Sequence, residues 1–167
     1  FTYGINTGSY LRFIDFAAKN GIDFLLIDDH WFSAAGASKL TVAPDLDIDA
    51  VMRRAKEAGV GIVLYYDRRK GNFGDAALYP YFAARGAVGI KYGFMGDKPG
   101  FTRSAIAAAA KEKLLINFHD SPTPMTGVER TMPNLVTREY CHSQQDRRSA
   151  FTPQAFLKMA LINNLTG

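Results

Sequence analysis

The sequence predicts an α/β fold built around a parallel sheet. Four short runs of β-branched and aromatic residues, at 22–27, 60–66, 88–94 and 114–118, are apolar at nearly every position. Strands that are buried on both faces have this pattern. Segments with helical spacing and recognisable end signals separate the runs. The chain has 167 residues, of which 47% are hydrophobic and 22% charged, so it is long enough to bury a core.

The first unit of the chain is a helix followed by a strand. Thr7 or Ser9 is suited to cap a helix over 10–19, because a side-chain oxygen can accept a hydrogen bond from the free backbone N–H groups of the first turn. Gly21 lies directly behind this segment, as expected after a helix. The apolar run 22–27 then predicts the first strand.

The next unit repeats this order with clearer end signals. Asp47 is suited to cap a helix over 48–58, and Gly59 is suited to end it. The run 60–66 predicts the second strand, and a further helix is expected over 76–85.

The remaining elements are predicted in the same way. The run 88–94 predicts the third strand, a helix is expected over 101–113, and 114–118 predicts the fourth strand. The stretch 117–146 contains no comparable pattern, and a loop of this length inside a domain is usually functional. Thr152 and Pro153 then mark the start of a helix over 154–165.

Charge and composition exclude several classes of protein. The 20 Lys and Arg exceed the 16 Asp and Glu by four, but the basic residues are scattered and form no stripe for a nucleic acid. The single cysteine, Cys141, excludes an internal disulfide. No apolar run reaches the length of a membrane span, and no signal-peptide pattern opens the chain.

Polar residues follow each apolar run, where a strand is expected to end. They are Asp28, Asp29, His30, Asp67, Asp97, His119 and Asp120. Because active sites of parallel α/β proteins lie at the C-terminal ends of the strands, we expect these side chains to meet at one edge. Each aspartate also has a structural interpretation as a cap or turn former, and Asp67 has Arg68 and Arg69 as possible partners.

Four segments together give a family resemblance that spans nearly the whole chain. The segments 14–31, 89–97, 117–120 and 127–139 resemble the catalytic barrel of glycoside hydrolase family 97. The resemblance implies a multidomain bacterial enzyme that acts on α-glucosides or α-galactosides through a (β/α)8 TIM barrel. Residues 1–167 then form the central part of this barrel, about four to five βα units, without the flanking domains. This explains a length below the about 250 residues typical of the fold.

The resemblance also implies catalytic roles. Asp67 and Asp120 occupy the positions of two glutamates that activate water in inverting family members. Retaining members have an aspartate nucleophile where this chain has Gly93, so the chain resembles the inverting branch. Inversion needs room for a water between acid and base. The glycine is therefore expected to leave that space open.

The general acid and the metal are assigned by the same resemblance. The acid position of the family falls on Gln145, whose amide cannot protonate a leaving oxygen. Either Asp146 beside it or Glu139 in a changed role would then supply the proton. Glu139 matches a metal-binding glutamate, and Asp120 joins it in the expected calcium shell. Calcium prefers several oxygen ligands, as carboxylates provide.

Further residues are expected to bind the oligosaccharide substrate. They are Asp29, Trp31, Lys91, His119 and Gln145. Trp31 is assigned to stacking on a sugar ring, although a single tryptophan is more often part of a core. The resemblance places the protein in the periplasm or outside the cell, and the sequence leaves its oligomeric state open.

Two other functions fit parts of the sequence. A barrel that binds carbohydrate without cleaving it would explain Gln145 at the acid position. An unrelated metal-dependent hydrolase would use Asp28, His30 and His119, with zinc as the metal.

Overall fold

The computed structural model of the chain describes residues 3–36, 39–71, 73–94, 98–119 and 128–138, with positions 153, 154, 157, 158 and 161. Within these residues the α-helices are α1 (Thr7–Lys19), α2 (Ile48–Ala58), α3 (Asp75–Ala84) and α4 (Pro99–Lys111). The strands are β1 (Phe24–Ile27), β2 (Phe32–Ala35), β3 (Leu40–Val42), β4 (Gly61–Asp67), β5 (Gly89–Gly93), β6 (Leu115–Phe118) and β7 (Leu135–Arg138). Short 3-10 helices cover Arg68–Lys70 and Val128–Arg130.

Local end signals set the bounds of the first two helices. Asp47 caps α2 by accepting a hydrogen bond from the Ala50 N–H at 2.9 Å, and Gly59 ends the helix with φ of 70°. A left-handed φ of this kind favours glycine, so both predicted signals are confirmed. The cap of α1 is Asn6, which accepts from Ser9 N–H at 2.8 Å, rather than the expected Thr7 or Ser9.

The main sheet has five parallel strands in the order β1-β4-β5-β6-β7. Each strand in it pairs with the next strand of the same sheet along the chain. The helices α2, α3 and α4 connect successive members of the sheet. The predicted parallel α/β architecture is therefore confirmed for the described residues.

The two faces of this sheet are covered differently. Ile27, Leu64, Ile90 and Ile116 belong to one buried core cluster, which also contains helix residues such as Phe82. The other face carries large apolar side chains that stay accessible, among them Phe24 at 52% exposed and Leu26 at 39%. These side chains border a shallow groove of about 220 Å³ that also contains Val63, Leu115 and Val136.

Two parts of the structure differ from the sequence prediction, and a third agrees with it at the positions that are described. A two-stranded antiparallel sheet of β2 and β3 follows β1, where no strand was expected. The expected loop 117–146 contains β7, which pairs with β6. Positions 153, 154, 157, 158 and 161 are helical and agree with a helix over 154–165, whose other residues lie outside the described ones.

None of the described helices is both long and apolar enough to cross a membrane.

Candidate active site

The C-terminal ends of neighbouring strands bring the predicted polar residues to one edge of the sheet. Parallel register aligns Tyr65 with Lys91 and Lys91 with Asn117, so the strands reach this edge together. We call this group the strand-end rim, and its described members are Asp28, Asp29, Tyr65, Asp67, Lys91, Gly93 and His119. In parallel α/β enzymes the active site lies at this edge.

Two ion pairs tie the residues after β1 to the neighbouring strands. The Lys91 ammonium lies 2.9 Å from the Asp28 carboxylate and connects β5 to the end of β1. The Lys70 ammonium contacts Asp29 in the same way from the 3-10 helix after β4. Burial alone would raise the pKa of Asp29, but hydrogen bonds from Lys70 and from the His30 N–H outweigh it and lower this pKa.

Asp67 is buried and held by a single arginine. Its side chain is 2% exposed and accepts hydrogen bonds from Arg69 through the backbone N–H at 2.8 Å, Nε at 3.1 Å and Nη2 at 3.0 Å. The guanidinium of Arg69 also lies over the ring of Phe94. The expected pairing of Asp67 with a following arginine is thus confirmed for Arg69. The two hydrogen bonds from the guanidinium fix the orientation of the carboxylate.

Gly93 does not leave an open space at the rim, which corrects the sequence expectation. A Cβ added to Gly93 would lie 2.5 Å from the hydroxyl oxygen of Tyr65 and 2.8 Å from a carbon of the same ring. The volume above Gly93 is therefore filled by the Tyr65 phenol. Burial raises the pKa of this phenol well above its usual value, and the charge of Asp67 adds to the increase.

His119 follows β6 and packs among aromatic rings. Its ring lies edge-on to Tyr65, with centroids 5.9 Å apart, and 5.2 Å from the ring of Phe94. Its backbone N–H donates to the Tyr92 carbonyl at 2.9 Å. Phe94 has φ of 56°, a strained conformation for a bulky residue, and such strain is concentrated at functional sites.

Trp31 lies in the core and not at the rim. Its side chain is fully buried, its indole N–H donates to the Tyr65 carbonyl at 2.6 Å, and its ring packs edge-on against Phe32 and Phe82. The structure therefore gives no support to sugar stacking by Trp31. The residue instead supports the backbone of β4 from the core side.

Four expected site residues cannot be placed in this geometry. Asp120, Glu139, Gln145 and Asp146 lie outside the described residues, and their assigned roles stay predictions. Asp97, which was expected at the same edge without an assigned role, lies outside them as well. Among the residues that are described, no group of three or more His, Cys, Asp or Glu side chains could hold a metal ion. The zinc site expected from Asp28, His30 and His119 is thus not formed.

The structure adds four residues to the site that the sequence interpretation did not assign to it. They are Tyr65, Arg69, Lys70 and Phe94. Tyr65 lies within an apolar run and looks like a core residue, and Phe94 ends another. Only the proximity of Arg69 to Asp67 in the sequence gave a signal. The other contacts join residues that are far apart along the chain.

A parallel α/β sheet with carboxylates, a lysine and a histidine at its strand ends is the arrangement found in α/β enzyme domains. The profile of the family Glycoside hydrolase 97 matches residues 1–141, and the chain belongs to this family. Family membership excludes the alternative of an unrelated metal-dependent hydrolase.

Relatives with known names agree with this assignment. The retaining alpha-galactosidase of Bacteroides thetaiotaomicron is 29% identical over 143 residues, which cover 83% of this chain and 22% of that protein. A family 97 enzyme variant from Pseudoalteromonas sp. strain K8, solved in complex with panose, superposes with a TM-score of 0.65 at 25% identity. The match covers 82% of this chain and 26% of that structure.

A second variant of the same Pseudoalteromonas enzyme has the same fold. It gives a TM-score of 0.65 at 24% identity over 81% of this chain and 25% of that one. The chain therefore spans about a quarter or less of the length of these relatives.

Proposed function

We propose that the chain forms part of a catalytic domain that hydrolyses terminal α-glycosidic bonds of an oligosaccharide. The observation that carries this proposal is the strand-end rim, where Asp28, Asp67, Lys91 and His119 come from four adjacent strands in a family 97 chain. One relative is named an alpha-galactosidase and another was solved with panose. We therefore propose an α-glucoside or α-galactoside as substrate.

We further propose that the parallel sheet is an arc of a (β/α)8 barrel, with residues 1–167 as its central part. In the sheet each strand neighbours the next one of the sheet along the chain, and α-helices connect the first four of them. The accessible apolar face of Phe24, Leu26 and Val63 would then line the barrel interior. The remaining strands and the flanking domains would belong to the rest of the natural protein.

The proposed reaction inverts the configuration at the anomeric carbon. Asp67 and Asp120 accept a proton from a water molecule, whose oxygen forms the new bond to the anomeric carbon. The bond to the leaving oxygen breaks, and that oxygen takes a proton from an acid, for which Asp146 is the candidate. Gly93 supports this reaction because it carries no carboxylate that could attack the sugar. One relative is named a retaining alpha-galactosidase, and the proposed inversion differs from that name.

Neighbouring side chains would orient these groups and the sugar. Arg69 holds the Asp67 carboxylate through three hydrogen bonds, so the remaining lone pairs point in fixed directions. Lys91, Asp29 and His119 lie at the same rim and are proposed to bind sugar hydroxyls. We assign the same role to Gln145, because an amide both donates and accepts hydrogen bonds.

We propose calcium as the resident metal, with Asp120 and Glu139 as its ligands in this chain. Both are carboxylates, the donor type that Ca²⁺ prefers, and its remaining ligands would come from water or other parts of the protein. When bound, the ion supplies positive charge that holds substrate oxygens and carboxylates in place. By its likeness to the family, the protein is proposed to act in the periplasm or outside the cell.

The test is an assay of the natural full-length protein on p-nitrophenyl α-glucoside and α-galactoside. We expect release of p-nitrophenol from at least one of them, with lower activity after chelation and recovery on adding calcium. A folded protein that turns over neither compound contradicts the proposed hydrolase.

A second candidate is a barrel that binds oligosaccharide without cleaving it. Gln145 at the acid position favours it, as does Asp67, whose two oxygens are already engaged by Arg69. Calorimetry with an α-linked oligosaccharide separates the two functions. Heat of binding without released sugar supports the binding protein, and product formation supports the enzyme.

A further inference from the structure

The pairing of Tyr65 with Gly93 leaves no room for a side chain at position 93. A Cβ on Gly93 would lie 2.5, 2.8 and 2.9 Å from three atoms of the Tyr65 side chain, distances that real Cβ atoms essentially never show. Gly93 is the position at which retaining relatives of the family are expected to carry their nucleophile. The steric conflict therefore falls where a protein carboxylate would have to attack.

The Tyr65 ring is held in this position from several sides. It lies edge-on to the His119 ring at 5.9 Å, and the Lys91 ammonium is 5.5 Å from its centroid. Its backbone carbonyl accepts the Trp31 indole N–H at 2.6 Å. The side chain is 2% exposed, so a shift of the ring would have to displace these neighbours.

The hydroxyl of Tyr65 has the chemistry to bind water at this point. A phenol can donate one hydrogen bond and accept others, and burial raises the pKa of this one above its usual value. Asp67 ends the same strand two residues later, so both side chains lie on one face of β4. A water bound to the hydroxyl would therefore lie near the proposed base.

We propose that Tyr65 replaces the nucleophilic side chain at position 93: its ring bars a carboxylate there, and its hydroxyl holds the water that attacks instead. The inference rests on the proposed glycosidase function and gives Tyr65 two parts in the inverting reaction: it fills the space at position 93 and it holds the attacking water. No bond between the sugar and residue 93 forms. The oxygen that reaches the anomeric carbon comes from water, and its proton passes to the carboxylate base.

The packing half of the proposal is tested by unfolding, independently of activity. Gly93→Ala in the natural full-length protein should lower the unfolding midpoint by about 1–4 °C, and the same change in a Tyr65→Ala background should lower it far less. Gly100→Ala in α4 is the matched control, since a Cβ there meets nothing within 4 Å, and should leave the midpoint unchanged or raise it slightly, because alanine favours a helix. Equal shifts in both backgrounds would overturn the steric claim.

The catalytic half is tested by product stereochemistry and by kinetics of Tyr65→Phe. Proton NMR of the first product should show the inverted anomer for the natural protein and for Tyr65→Phe. The variant keeps the ring and should lose about tenfold in kcat, the effect of one hydrogen bond, with KM changed less than about twofold. An unchanged kcat in this variant overturns the role of the hydroxyl.

Failure of this inference differs from failure of the proposed function. A retained anomer from the natural protein overturns the role of Tyr65 and leaves glycoside hydrolysis standing. A folded protein with no turnover contradicts the proposed function and, with it, the catalytic half of the inference. The unfolding midpoints still decide whether Tyr65 and Gly93 exclude a side chain.

Discussion

The two faces of the parallel sheet differ in composition and in what they do. The helix-covered face is uniformly apolar, with Leu64, Ile90 and Ile116 buried in the core cluster. The opposite face changes along each strand, from accessible apolar residues such as Leu26 to the ionic residues Asp67 and Lys91 at the strand ends. One face therefore stabilises the fold, and the other is apolar at one end and carries charged side chains at the other.

The largest expected effect tests whether the second face is also a core in the intact protein. Leu64→Ala should lower the free energy of unfolding by about 2–5 kcal/mol, because it leaves a cavity in the covered face. If the sheet is an arc of a closed barrel, Leu26→Ala should fall in the same range in the natural full-length protein. Chemical denaturation measures both variants.

The outcome for Leu26 distinguishes a barrel from an open sheet. Lys19→Ala on the exposed part of α1 is the control and should change stability by less than about 0.5 kcal/mol. A Leu26→Ala variant that behaves like this control would contradict the closed barrel.

The next effect concerns the buried carboxylate at the end of β4. Arg69→Gln should lower the free energy of unfolding by about 1–3 kcal/mol, because it removes two of the hydrogen bonds that satisfy Asp67. The double variant with Asp67→Asn should recover part of this loss. Arg54→Gln breaks the exposed pair with Asp15 and serves as the control, with an expected effect of about 0.2–1 kcal/mol.

A double-mutant cycle on thermal or chemical unfolding checks this interaction. Additive effects of Asp67→Asn and Arg69→Gln would show that the arginine does not hold the carboxylate.

The smallest effect is a dependence of stability on pH. Folding lowers the pKa of Asp29, so its contribution is present above the unfolded pKa of about 4 and is lost as the pH falls through the folded value. Screening at this partly exposed site keeps the contribution below about 1 kcal/mol. Asp29→Asn should therefore flatten the acid limb of a plot of stability against pH.

Lys70, the ion-pair partner of Asp29, provides a second variant for the same measurement of stability against pH. Lys70→Met removes the contact that lowers the pKa and should flatten the limb in a similar way. An acid limb that stays unchanged in both variants would contradict the interaction.

Local signals account for the parts of the fold that the sequence predicted. Asp47 and Gly59 act through groups within a few residues, so the bounds of α2 followed from the sequence alone. The strand β7 was not predicted, because its four residues form a strand by pairing with β6, which lies well before them in the chain. The same holds for β2 and β3, which stabilise each other across a short antiparallel sheet.

In the candidate site, too, some features could be predicted from the sequence and others depend on contacts between distant residues. The carboxylates at the strand ends could be predicted because parallel strands end at one edge. The pair of Tyr65 and Gly93 could not, since the two residues meet only after β4 and β5 align. Trp31 was assigned to sugar stacking from its residue type, and only its burial shows that it packs in the core.

The most direct test of the central claim replaces the lysine of the strand-end rim. Lys91→Met cuts the link to Asp28, a partly exposed pair, and should change stability by less than about 1 kcal/mol. We expect it to lower kcat/KM on a p-nitrophenyl α-glycoside by about 100-fold or more, with Lys19→Met unchanged as the control. A Lys91→Met variant with the activity of the natural protein would contradict a catalytic site at the strand-end rim.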